Sequence, residues 1–144
     1  MTPTQPDTQT SVPSPRPTAL RGNCMGAAVL LIVQFAVGMG VNLYVTLPKH
    51  RSFLPTVFGS AMLAAHAIVA LLLLGAAIGA LVRAIRRRAA IAFTAVGLAA
   101  VLSAAIAGAS FVGSAANAAS LAMALATAVA MFCYLAAVFT LRSV

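Results

Sequence analysis

Four long apolar runs, broken by short polar or charged stretches, make up most of this chain, and they predict membrane spans at about residues 25–47, 57–82, 89–112 and 117–141. The run that orients the others is Met62 to Arg88, MLAAHAIVALLLLGAAIGALVRAIRRR, apolar throughout with one histidine near its start and four arginines at its end. At ~1.5 Å per residue it is long enough to cross a hydrocarbon layer of ~30 Å. From Ala89 to Leu141 there is no charged residue at all. As a single helix that stretch would be ~80 Å long, so the chain has to turn back on itself. Gly113, Ser114 and Asn117 supply the turn signals. Pro48 ends the first span, and the loop from Pro48 to Pro55, with Lys49, His50 and Arg51, leads into the second.

The polar residues inside the runs fall at helical spacings. Gln34, Gly38 and Asn42 recur every four residues in the first span and share one helix face. Lipid offers an amide no hydrogen bond, so this face should look toward other helices, with Gly38 letting a neighbour approach. Gln34, near mid-membrane, is expected to make an interhelical hydrogen bond. Gly75 and Gly79 form a G-x-x-x-G pair in the second span, suited to close approach of a helix of this chain or of a second copy. Ala100, Ala104 and Gly108 make a small-residue stripe in the third. In the fourth, Asn117, Ser120, Ala124, Thr127, Met131 and Tyr134 place the polar side chains on one seam, which predicts an inward, closely packed face.

Composition changes the picture by excluding other classes. The chain is 62% hydrophobic and 7% charged, with a mean hydropathy of +1.06, which belongs to membrane proteins. Its net charge of +8 is not a nucleic-acid signature, because the basic residues sit at the edges of apolar runs and form no groove-reading patch. Asp7 is the only carboxylate side chain. That excludes paired-carboxylate hydrolysis, carboxylate-bound calcium or magnesium, and proton coupling through a membrane Asp or Glu. With four spans and both termini cytoplasmic, Arg16, Arg21, Arg83, Arg86, Arg87, Arg88 and Arg142 lie inside and only Lys49 and Arg51 outside, seven against two. Cys24 and Cys133 then fall on the cytoplasmic side, where they stay thiols. Residues 1–22, with Pro3, Pro6, Pro13, Pro15 and Pro17 among Thr, Ser and Gln, read as a disordered, uncleaved cytoplasmic tail, and residues 23–144 as the membrane domain.

His66 is the one ionisable side chain expected within the hydrocarbon, about two turns inside its span. With Asn42, Ser110, Asn117 and Ser120 it falls in the outer half of the bundle, with His50 just above. His66, Asn42, Asn117 and Ser120 are the candidate binding residues. Three kinds of ligand suit that set. Haem b would take His66 as one axial ligand, with His50 or a methionine such as Met39, Met62 or Met123 as the other. A quinone or other small apolar ligand would accept hydrogen bonds from His66 and from Asn42 or Asn117. Copper would use histidine and methionine. The plainer expectation is a neutral His66 bonded to a backbone carbonyl or to an Asn or Ser side chain, with no cofactor.

The segments Gly38-Met39-Gly40-Val41-Asn42-Leu43-Tyr44-Val45 with Pro48, His66, Gly108-Ala109-Ser110-Phe111 and Ala119-Ser120-Leu121-Ala122-Met123-Ala124 resemble a family of small, largely uncharacterised four-span integral membrane proteins of high-GC bacteria. In similar proteins the third-span motif often begins with Asn, where this chain has Ala107. The resemblance covers all four spans but not the tail, and it implies no activity. Small multidrug transporters are similar in size but depend on a membrane glutamate that is missing here. The expected protein is therefore an all-α, four-helix transmembrane bundle of the bacterial inner membrane, multi-pass and non-enzymatic, acting as an accessory or structural element. Its partners would be the lipid bilayer and either another membrane protein or a second copy, with no nucleic acid.

Overall fold

Each of the four apolar runs folds as one long α-helix. The computed structural model describes residues 18–45, 53–114 and 116–142, as helices α1 (Thr18–Tyr44), α2 (Phe53–Phe58), α3 (Ala61–Arg87), α4 (Ile91–Ser114) and α5 (Asn117–Thr140). All but α2 are long and apolar enough to cross a membrane, so this is an all-α, multi-pass membrane bundle. The tail expected over residues 1–17, and the loop bearing Pro48, Lys49, His50 and Arg51, lie outside the described residues. The end of the stretch read as tail, Thr18 to Gly22, is helical. Leu20 and Cys24 explain this, since both are buried in the core and draw the first turns of α1 onto its neighbours.

Short α2 takes in residues 53–55, expected in the loop, and residues 57 and 58, expected to open the second span. Gly59 breaks it off. A Cβ at this position would lie 2.7 Å from the Pro55 carbonyl oxygen, so only glycine fits the closure. Ser60 then starts α3, its extended backbone placing Oγ to accept from the Leu63 N–H at 3.4 Å. At the other end of α3, Arg88 turns left-handed (φ 51°), and the Ala89 N–H reaches back to the Ala84 carbonyl at 3.1 Å. Ala90 is also left-handed, and α4 begins immediately after it.

The long helices form a ring in which α1 touches α3, α3 touches α4, α4 touches α5, and α5 returns to α1. We call the end carrying Arg83 to Arg88 the arginine end and the opposite one the far end. The main core fills the half toward the arginine end: Ala77, Ala80 and Ala84 of α3 meet Ala27 and Ala28 of α1 and Ala137 of α5, all buried. Small side chains let helix backbones come close, and in lipid this close packing, rather than exclusion of water, holds helices together. Tyr134 is the large residue among them, 0% exposed. Its ring lies against Gly97, where a Cβ would stand 2.9 Å from Tyr134 Cζ. A smaller cluster of Val41, Val57 and Leu63 closes the far end, so α2 helps to cap the bundle. The outward faces carry large apolar side chains such as Leu71, Ile106, Leu125 and Phe132.

The small-residue motifs divide. Ala100 is buried and Gly108 sits beside Met123, as the α4 stripe predicts. Gly75, by contrast, is exposed with nothing near it, while Gly79 faces Asn23 of α1. The α5 seam closes only over its arginine half: Thr127 and Tyr134 are buried, whereas Asn117 and Ala124 are exposed. Asn117 is the first residue of α5, at the rim of the bundle rather than between helices.

Two substitutions test this core. Gly97→Ala pushes a methyl into the phenol ring and should lower stability in detergent by ~1–3 kcal/mol. The Tyr134 hydroxyl is buried with no hydrogen-bond partner. Tyr134→Phe should therefore leave stability unchanged or raise it by up to ~1 kcal/mol. Thermal unfolding of the two variants beside the wild type is the check.

Candidate functional site

Between the main core and the far-end cluster lies a partly open cavity of about 420 Å³, to which all five helices contribute. Leu54, Val57 and Phe58 of α2 lie across its far end, and Leu31, Leu73 and Val101 form its floor above the main core. The lining is almost wholly apolar. Its polar side chains are Gln34, Asn42, His66, Ser120 and Thr127.

Two of these residues bond to one another across α1 and α3. Gln34 Nε2 lies 3.0 Å from His66 Nε2, joining residues 32 apart in sequence. Gly38, one turn beyond Gln34, makes room for the ring, since a Cβ there would sit 3.0 Å from His66 Cε1 and 3.5 Å from Nδ1. The bond satisfies only half of the pair's capacity. His66 Nδ1 and Gln34 Oε1 are both buried and have no hydrogen-bond partner. In a hydrocarbon setting each such atom is costly to leave unpaired, about 1–3 kcal/mol.

The hydroxyls behave differently. Thr127 donates to the Met123 carbonyl at 2.8 Å, Ser103 to Ala99 at 2.9 Å and Ser110 to Ile106 at 3.0 Å, each one turn back in its own helix. They form no bridge between helices, a role taken by Gln34 with His66, whereas Asn42 and Asn117 are exposed. A second bond of that kind lies at the arginine end, where Arg83 Nη1 donates to Asn23 Oδ1, again joining α3 to α1. Asn23 carries a role that its position near the start of the first run did not suggest. Arg142 lies 5.3 Å from the centre of the Phe139 ring, a cation–π contact at the same end.

Of the candidate residues, His66, Asn42 and Ser120 line this cavity, while Asn117 stands outside it. Gln34 is the partner of His66, where an Asn, a Ser or a backbone carbonyl was expected. The signal for this pairing is Gly38, four residues on, which opens a notch of imidazole size on the Gln34 face. Met39 and Met123 line the cavity, whereas Met62 Sδ packs against Gly40 between α1 and α3. His50 lies outside the described residues. Among the described residues, no three of His, Cys, Asp and Glu gather as a metal site would require. Cys24 and Cys133 are free thiols, both buried.

A double-mutant cycle measures the amide–imidazole bond. Gln34→Leu and His66→Leu should each destabilise the bundle, and their effects should fall short of additivity by about 1 kcal/mol. Strict additivity in equilibrium unfolding would show that the two side chains do not interact. Comparison of the chain with family models, with curated proteins and with solved structures finds no match.

Proposed function

We propose that this protein is a non-enzymatic, four-span component of the cell membrane that holds a small lipophilic molecule of the quinone class between its helices. The observation that carries this reading is the cavity itself. It has the volume typical of a small-molecule site, an apolar wall, and a polar pair at one place on that wall. A bundle with a purely structural role has no use for such a space. Native interiors are packed to crystal-like density, and side chains around a void lose their contacts on one side. Haem b has less support, because His66 Nε2, one of the two ring nitrogens that could bind iron, is engaged by Gln34. The orientation follows the charges: the arginine end lies in the cytoplasm with both termini, and the far end with α2 faces outward.

Purification in mild detergent followed by organic extraction tests the ligand. We expect a lipophilic molecule to co-purify with the wild type and to be lost in Ala104→Leu, which fills the cavity from α4. Equal extracts from the two proteins would overturn the proposal, and a Soret band abolished by His66→Ala would replace the ligand with haem. For orientation, an impermeant thiol reagent added to intact cells should label Lys49→Cys and not Arg86→Cys. The buried native thiols give little background. Labelling at both positions would refute the topology.

A further inference from the structure

The polar pair restricts what the bound molecule can be. With a neutral imidazole, the Gln34–His66 bond can form in two ways. In the first, the amide N–H donates to Nε2, which leaves His66 Nδ1 carrying a hydrogen and Gln34 Oε1 with free lone pairs. In the second, the amide is turned about and its oxygen accepts from Nε2–H, which leaves Nδ1 as a bare acceptor and the amide N–H groups unused. The outcome is the same in kind. Whichever way the bond is made, one residue is left with a donor and the other with an acceptor.

A group that satisfies both must accept one hydrogen bond and donate another. A ketone, an ether or an ester only accepts, and it would leave the pair's own acceptor unpaired. A hydroxyl does both. The rest of the wall selects the body attached to that hydroxyl: Phe35, Phe58 and Phe111 line the cavity with Met39 and Met123. Ring edges and thioether sulfurs are favourable neighbours for a flat aromatic ring. Nδ1 and Oε1 are buried without partners, and they belong to two side chains that line the cavity. Gly38 keeps a side chain away from Nδ1, since a Cβ there would stand 3.5 Å from that nitrogen.

We infer that the cavity takes a lipophilic phenol, and that within the quinone class it selects the reduced hydroquinone over the oxidised quinone, through the unpaired donor and acceptor of Gln34 and His66. The inference rests on the ligand-binding reading above, and the test separates the two. Four probes are compared with the purified wild type in detergent at about pH 8, above the ordinary imidazole range. They are a decyl-substituted hydroquinone kept reduced, its quinone, its dimethyl ether, and a saturated long-chain alcohol. Bound probe is separated by filtration, extracted and quantified. The hydroquinone should bind at least tenfold more tightly than the quinone, the ether or the alcohol. In Gln34→Leu its preference over the ether should shrink to less than threefold. Equal binding of hydroquinone, quinone and ether would overturn the selection and leave the cavity as a ligand site. Equal binding of the saturated alcohol and the hydroquinone would overturn the aromatic assignment. If none of the four binds, the ligand reading falls and the inference with it. The comparison among probes uses the native protein alone, so it stands even if Gln34→Leu does not fold.

Discussion

Inside a bilayer there is no water to take up a hydrogen bond, and that constraint shapes most of what is seen here. Backbone groups meet it by forming helices. Hydroxyls meet it locally, as Ser103, Ser110 and Thr127 do by donating to carbonyls one turn back. An amide or an imidazole is too large and has too many valences for that solution. Gln34 and His66 therefore have to find each other across a helix boundary, and the boundary they cross is the one between α1 and α3.

The two halves of the bundle answer different demands. Toward the arginine end, buried alanines and Gly97 bring the backbones close enough for Tyr134 to be enclosed on all sides. Toward the far end, small residues of the same kind, Ala70, Ala104 and Ala105, line the cavity, and space remains. Alanine is thus a close-packing residue in one half and a wall in the other. What decides between these roles is whether a bulky side chain projects from the opposite helix. A phenol does so at residue 134, whereas Ala104 borders open space.

The architecture was legible because it depends on coarse quantities. The length of each apolar run and the clustering of Arg83, Arg86, Arg87 and Arg88 are enough to define four helices, and all four are present. Faces were legible in part. Gln34 and Gly38 share an inward face as their spacing requires, and Thr127 and Tyr134 are buried as the α5 seam requires. Asn117 departs from that seam because periodicity describes a helix face along its whole length, whereas a neighbour covers only part of it. Pairings were the least legible. Nothing in the spacing of one helix tells how far its neighbour is shifted along the axis, and that shift decides whether His66 meets Gln34 or Asn42. Helix α2 was hidden because Phe53 to Pro55 read as the end of a loop and Val57 and Phe58 as the start of the span that follows, from which only Gly59 and Ser60 separate it.

The connections between helices cast the polar bonds in another light. Three residues join α3 to α4, and two join α4 to α5, so each pair meets at almost no cost in loop-closure entropy. Helix α1 is tethered by a much longer stretch, from residue 45 to residue 60, and it touches α5 with no direct link at all. Yet α1 is the helix gripped at two levels, by Arg83 on Asn23 and by His66 on Gln34. Directional bonding sits where covalent connectivity is weakest: α3, α4 and α5 form a folded-back strip kept together by its own hinges, and α1 is latched onto it.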